Sequence, residues 1–153
     1  MKQILLSTAV ALALAFSAGQ SDAANVKITT EMASFNGPRA YVAVYLTDPN
    51  GKVYDTYYVG GGKDKYYKHL RDWTRGANRS KTPAHAVTGA SIGSGRTITV
   101  SADIADNLIA AGYQVRVDTA VEDKGDYPRS AVLTLGKQPS VAGRGIVRSL
   151  RVD

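Results

Sequence analysis

The sequence predicts an all-β protein, an antiparallel β-sandwich of about seven strands with one inserted α-helix. Short segments rich in β-branched and aromatic residues alternate with turn residues, and one segment has its apolar residues at helical spacing. No further helices separate the remaining strands, as a βαβ architecture would require. The predicted strands lie at residues 26–32, 40–47, 53–59, 96–102, 113–121, 130–135 and 146–152.

The chain begins with the three parts of a secretory signal. Lys2 gives a positive start, an apolar run of 13 residues follows at 4–16, and small residues precede a cut after Ala23. A membrane anchor is the alternative, but a spanning helix needs about 20 apolar residues. We therefore expect a signal peptide at 1–23, a single domain at 24–153, and a periplasmic or secreted protein without stable membrane insertion after cleavage.

Composition excludes several kinds of site. The chain has no Cys, which excludes disulfides, cysteine nucleophiles and thiolate metal sites. The net charge is +6, and the predicted signal holds one base and one acid, so the exported part keeps that charge. We expect an envelope protein or another acidic surface as partner, and no nucleic acid, because the protein leaves the cytoplasm. The alternative is that scattered basic residues only solvate the surface.

The first three strands are the most strongly indicated. Residues 26–32 alternate apolar and polar side chains, as a half-buried strand does. Residues 40–47 carry few polar side chains, which predicts a central strand covered on both faces. The turn Asp48-Pro49-Asn50-Gly51 then returns the chain as a hairpin at 53–59, because Asn-Gly tolerates positive φ.

One helix is predicted over Lys65–Arg75, after the strand-breaking glycines 60–62. Tyr66, Leu70 and Trp73 are spaced i, i+4, i+7, which forms one apolar stripe that we expect to lie on the sheet. We expect the helix to end at Gly76. The basic residues of the segment, Lys68, Arg71 and Arg75, fall on its other side.

The second half of the chain reads as strands separated by loops. Residues 77–87 and the Gly-rich 88–95 are predicted loops, 103–112 a turn or one helical turn, and 136–145 a further loop. The alternation over Tyr113–Val121 places Val115 and Val117 inward and Asp118 outward. A turn at Lys124-Gly125 follows.

Several segments resemble a known family. Ala86-Val87-Thr88-Gly89-Ala90-Ser91 and Gly112-Tyr113-Gln114-Val115-Arg116-Val117-Asp118-Thr119-Ala120-Val121-Glu122, with the hairpin at 40–59 and the Lys63–Trp73 segment, resemble the predicted periplasmic proteins of the domain of unknown function 2271 family. The resemblance spans roughly residues 26–136. It implies an Ig-like sandwich, similar in outline to the Ig-like domain of the flagellar hook-capping protein. Members are often encoded beside envelope membrane proteins and flavin-attaching enzymes, which implies a role in an envelope redox or iron-acquisition system.

The sequence motifs give little support for catalysis or for a bound cofactor. Thr88-Gly89-Ala90-Ser91 lacks the Gly-x-Ser-x-Gly order of a nucleophile elbow, so we expect no enzyme and no cofactor. His69 and His85, with Tyr66 or Tyr67, could form a small metal or haem site. That site is our alternative hypothesis. The two histidines show none of the HxH, HxxH or HExxH spacings.

Aromatic residues give the functional hypothesis. The strand alternation places Tyr54 and Tyr58 on one face and Tyr57 on the other. Exposed tyrosines flanked by cations would form a platform for a partner protein or glycan. The alternative is that the helix covers them all. We therefore predict a non-catalytic binding or accessory module for an envelope partner, with these binding residues: Tyr54, Tyr58, Lys63, Lys65, Tyr67 and Arg71.

Overall fold

Two β-sheets make up most of the protein. The computed structural model describes residues 22–80 and 87–153. Residues 1–21 of the signal peptide predicted at 1–23, and His85, lie outside these ranges. The strands in the described ranges are β1 (Ala23–Met32), β2 (Tyr41–Thr47), β3 (Val53–Gly60), β4 (Val87–Gly89), β5 (Thr97–Ala105), β6 (Gln114–Val121), β7 (Gly125–Thr134), β8 (Ser140–Ala142) and β9 (Val147–Val152).

The sheets contain four and five strands. The first has the order β5-β1-β9-β8 and the second β4-β3-β2-β6-β7. Neighbouring strands are antiparallel except for β3 and β4, which run parallel. The prediction of an all-β sandwich is confirmed. The strands beyond the predicted seven, β4 and β8, have three residues each and lie in predicted loops.

Short helices connect some of the strands. A 3-10 helix (Asp64–His69) and α1 (Arg71–Ser80) link β3 to β4, and α2 (Asp106–Ala110) follows β5. The helical insertion after the third strand is therefore confirmed. Within the described residues, no helix combines the length and apolarity that crossing a bilayer requires.

Strand β2 separates two apolar clusters. All seven of its residues are buried. Val42, Val44 and Leu46 point into the sandwich core, between the two sheets, where Ile28 and Leu150 meet them. The alternate residues of β2 point to the other face of the five-stranded sheet. There they form what we call the helix cluster, which comprises Tyr41, Ala43, Tyr45, Val53, Val59, Leu70 and Ala120 with the half-buried Tyr66, Tyr67 and Trp73.

The single predicted helix is wrong in its details. The structure divides it at Leu70, whose φ of −79° and ψ of 74° interrupt the helical path. Gly76 does not end α1, which continues to Ser80. This glycine instead permits close packing, since a Cβ atom there would lie 2.3 Å from Cγ2 of Val53. The apolar stripe nevertheless lies on the sheet, as expected, with Leu70 fully buried.

Two predicted side-chain directions are also wrong. Asp118 was expected to face solvent, but it is fully buried, because the helices cover the outer face of β6. Tyr57 and Tyr58 were expected on opposite faces, but both belong to the sandwich core. The register shifts between the pairs Val44–Tyr58 and Tyr45–Thr56, so a bulge at Tyr57 interrupts the alternation.

Candidate functional site

The inserted helices carry a row of cations. Lys63, Lys65, Lys68, Arg71 and Arg75 are all exposed, and we call them the basic surface. The row faces solvent because Leu70 and its apolar neighbours hold the opposite side of the segment on the sheet. Arg75 pairs with Asp72 at 3.7 Å. The other four form no salt bridge within residues 22–80 and 87–153.

Tyrosine rings support this surface. The ammonium groups of Lys63 and Lys65 lie 5.9 and 5.0 Å from the centroid of the Tyr66 ring, within the range of a cation–π contact. Tyr66 in turn packs edge-on against Tyr41 at 5.8 Å. Tyr67 packs edge-on against Trp73 at 6.2 Å. The aromatic contacts therefore anchor the basic surface to the buried helix cluster.

A cleft of about 510 Å³ adjoins the basic surface. Tyr41, Tyr66, His69 and Arg71 line one side, and residues 120–126 line the other. His69 spans it, since its Nδ1 lies 3.1 and 3.3 Å from the two carboxylate oxygens of Asp126. The far wall contains three acids and one base, Glu122, Asp123, Asp126 and Lys124. The cleft thus presents the guanidinium of Arg71 on one side and mainly carboxylates on the other.

Four of the predicted binding residues lie in one segment of the structure. Lys63, Lys65, Tyr67 and Arg71 belong to the inserted helical segment or immediately precede it. Tyr67 is half-buried beneath the basic surface, so it supports the surface and contributes little exposed area.

Tyr58 and Tyr54 lie elsewhere, contrary to the expected shared platform. Tyr58 is 7% exposed, and its hydroxyl donates to the Ala90 carbonyl at 3.0 Å. Tyr54 is 47% exposed and packs edge-on against Tyr113 at 5.4 Å. It lines a different depression, shared with Leu108, to which no residue of the basic surface contributes. The expectation that Tyr54 and Tyr58 form one exposed face is wrong, because Tyr58 is buried in the sandwich core while Tyr54 is exposed.

Of the two histidines of the hypothetical metal site, the structure describes His69. His85 lies outside the described residues, so its distance from His69 is not part of the structure. Within residues 22–80 and 87–153, no group of three His, Cys, Asp or Glu side chains could hold a metal ion. His69 does have the carboxylate contact that commonly orients an imidazole ligand.

Sequence reasoning missed one buried polar site, beneath α1. The carboxylate of Asp118 accepts from the Tyr45 hydroxyl at 2.9 Å and from the backbone N–H groups of Trp73 at 2.8 Å and Arg129 at 2.9 Å. Burial raises the pKa of Asp118, although these donors oppose the rise. The Trp73 contact satisfies an N–H group in the first turn of α1. This carboxylate therefore fixes the start of the helix against the sheet.

A signal for this site exists in the sequence, although alternation hides it. Asp118 and Tyr45 lie in two strands that pair in the centre of the sheet, and the strand that contains Tyr45 has Thr47 as its only other residue with a polar side-chain atom besides Tyr41. A charged residue in a strand covered on both faces needs hydrogen-bond partners. Recognising this would have required knowledge that the inserted helix covers β6.

Comparison with known proteins gives one match. The family model described as "Predicted periplasmic protein (DUF2271)" matches residues 23–149. No curated protein and no solved structure matches the chain. The match covers nearly all of the described residues, including the basic surface and the cleft.

Proposed function

The chain belongs to the DUF2271 family of predicted periplasmic proteins, and we propose that it is a non-catalytic binding module that recognises an acidic segment of an envelope partner protein. The observation that carries this proposal is the basic surface. Four of its cations have no ion-pair partner in the described part of the chain. Two of them are held on the ring of Tyr66.

The cleft favours a polypeptide over a uniformly anionic surface. A flat acidic membrane or glycan would meet Arg71 but also the carboxylates of Glu122 and Asp123 across the cleft. A peptide can place acidic side chains against the cations and a basic side chain against those acids. Such charge complementarity mainly raises the association rate and the specificity.

We also propose that the partner belongs to an envelope redox or iron-acquisition system. This proposal rests on the family resemblance alone, which implies neighbours of that kind in the envelope. The basic surface is compatible with an accessory role, in which this protein positions or stabilises a partner that performs the chemistry.

Charge reversal with a matched control tests the binding proposal. The variant Lys65→Glu/Arg71→Glu changes the basic surface, and Lys27→Glu/Arg148→Glu makes the same charge change at exposed positions of the four-stranded sheet. Both pairs and the unchanged protein are expressed in the periplasm with a photo-crosslinking residue in place of the exposed Asp64, which is not one of the five cations. We expect a discrete, salt-sensitive crosslinked partner for the wild type and the control, and its loss in the first variant. Equal crosslinking by both variants would reject the basic surface.

The alternative is a small metal- or haem-binding protein that uses His69, His85 and a nearby tyrosine. The observation that favours it is the contact between His69 Nδ1 and Asp126, which leaves the imidazole oriented. Metal analysis and an absorption spectrum of protein purified from its native compartment test it. Stoichiometric metal or a haem band that His69→Ala abolishes would replace the binding-module account. Protein that contains neither would reject the alternative.

A further inference from the structure

The outer edge of β5 is the unprotected long edge of the described structure. Proteins usually blunt sheet edges with short strands, prolines, bulges, charges or covering loops. Here β4 and β8 have three residues each. Strand β7 contains Pro128 and a positive φ at Arg129, and Arg144 covers its edge through bonds to the carbonyls of Arg129 and Ser130.

Within residues 22–80 and 87–153, none of these devices protects β5. It has nine residues without proline, and all nine pair with β1 in one uninterrupted register. Its one charged side chain, Asp103, accepts a hydrogen bond from Asn25 of β1 at 2.7 Å. No other strand of the described residues pairs with its outer side.

The register shows which backbone groups point outward. Met32 N–H donates to the Arg96 carbonyl at one end of the β1–β5 ladder, and Asp106 N–H donates to the Asp22 carbonyl at the other. Because hydrogen bonding alternates along an antiparallel pair, the even-numbered residues of β5 bond to β1. The odd-numbered residues, 97 to 105, therefore turn their N–H and C=O groups to the open edge.

We propose that two copies of this chain pair through their β5 edges, antiparallel, about a two-fold axis at Ser101. In this register, Ser101 faces its own copy, Thr99 faces Asp103, and Thr97 faces Ala105. Each of the five odd-numbered residues can donate one backbone hydrogen bond and accept another. The two four-stranded sheets would become one continuous sheet.

The side chains that would face each other across the two β5 strands are compatible with this register. Ile98 would face Ile104 and Val100 would face Ala102, in the non-hydrogen-bonded pairs whose side chains approach most closely. All four lie on the face of β5 that points to the sandwich core. Asp103 would face the hydroxyl of Thr99 and not a second carboxylate. Apolar residues thus meet apolar residues, and polar residues meet polar residues.

Charges at the ends of the ladder are complementary as well. The same two-fold axis places Arg96 of one copy opposite Asp106 of the other, at both ends. Both side chains are exposed. This pairing favours a second copy over an unrelated strand, because it arises only when β5 meets itself in the Ser101-centred register. A shift of the register by two residues would separate both charge pairs and remove backbone bonds.

Disulfide trapping tests the register directly, because the chain has no cysteine. Residues in a hydrogen-bonded antiparallel pair have Cα atoms about 5.5 Å apart, within the range of a disulfide. We expect Ser101→Cys to give a covalent dimer under mild oxidation. Thr99→Cys and Asp103→Cys should crosslink when mixed and only weakly alone, since each lies about 13 Å from its own copy. Failure of Ser101→Cys to exceed a Thr29→Cys control would overturn the proposal.

Sedimentation across a dilution series supplies a second measurement. We expect Arg96→Glu to raise the dimer dissociation constant about tenfold, because two opposite-charge pairs become like-charge pairs. The double variant Arg96→Glu/Asp106→Arg should restore wild-type association. Ser101→Pro should give a folded monomer, because the lost N–H points away from β1. A wild type that stays monomeric at every concentration overturns the dimer and leaves the edge to a strand of another protein.

Discussion

Asp118 shows how one side chain couples the inserted helix to the sheet. Its carboxylate lies in a strand covered on both faces and receives one hydroxyl and two backbone donors. One of those donors belongs to Arg129, whose φ of 50° is in the left-handed region. The carboxylate therefore holds both the first turn of α1 and an unusual backbone position in β7.

The raised pKa of Asp118 predicts a dependence of stability on pH. In the folded state, burial keeps the proton on this carboxyl at pH values where the unfolded chain has released it. The resulting stabilisation is complete below the unfolded pKa of about 4 and is lost as pH rises through the raised folded value. We expect the free energy of unfolding, measured with urea, to fall over that interval relative to Asp118→Asn.

The Asp118→Asn variant also has a cost that does not depend on pH. Its amide nitrogen would face a backbone N–H of Trp73 or Arg129, which leaves a buried donor unpaired. We expect a loss of about 1–3 kcal/mol at the acidic end of the series. Parallel pH profiles for wild type and variant would contradict the assigned pKa shift.

Gly76 gives a second prediction at the residue scale. In most helices Gly→Ala stabilises by about 1 kcal/mol. Here the added Cβ would lie 2.3 Å from Val53 Cγ2, inside the packed helix cluster. We therefore expect Gly76→Ala to destabilise the fold by about 1–3 kcal/mol in urea unfolding. Gly62→Ala is the control, since a Cβ atom added at Gly62 would have no neighbouring atom within 4 Å. An equal effect at both positions would contradict the packing argument.

At the scale of elements, α1 and the 3-10 helix depend on the helix cluster and not on the sandwich core. Leu70 is fully buried in that cluster, and Trp73 is half-buried beside it. The Trp73 indole N–H donates to the Thr56 hydroxyl at 3.0 Å. Because the chain has one tryptophan, its fluorescence reports the docking of this segment.

Because the helix cluster and the sandwich core are separate, we expect side-chain truncations in the two clusters to destabilise different parts of the protein. Leu70→Ala should cost about 2–5 kcal/mol of helix docking, and the tryptophan emission should change at lower urea than the far-ultraviolet signal of the sheets. Leu150→Ala, in the sandwich core, should lower both transitions together. Coincident transitions in Leu70→Ala would show that the helix and the sandwich unfold as one unit.

At the scale of the whole molecule, the sequence predicted the sandwich class and the position of the helical insertion better than it predicted the positions of the binding residues. β2 was recognised as covered on both faces because all of its side chains except Thr47 are apolar or tyrosine. The sandwich class and the insertion after the third strand followed from patterns of the same local kind. These patterns depend only on neighbours in the sequence, and tertiary packing left them unchanged.

Other assignments depended on contacts that local patterns do not contain. The bulge at Tyr57 placed that residue beside Tyr58 in the sandwich core, where Tyr58 is buried and does not contribute to the expected platform. The insertion covered Asp118, and Val53 turned Gly76 from a helix end into a packing position. Lys63, Lys65, Tyr67 and Arg71 came together because they are close in the sequence, whereas Tyr54 did not join them.

The parallel pairing of β3 and β4 closes the helical insertion at its base. Gly60 pairs with Gly89, and Gly61 N–H donates to the Gly89 carbonyl at 3.1 Å. The chain thus leaves and re-enters the sheet at adjacent positions, about one strand spacing apart. The sheet itself therefore holds the two ends of the insertion together, while the helix cluster and Asp118 hold the helices between them.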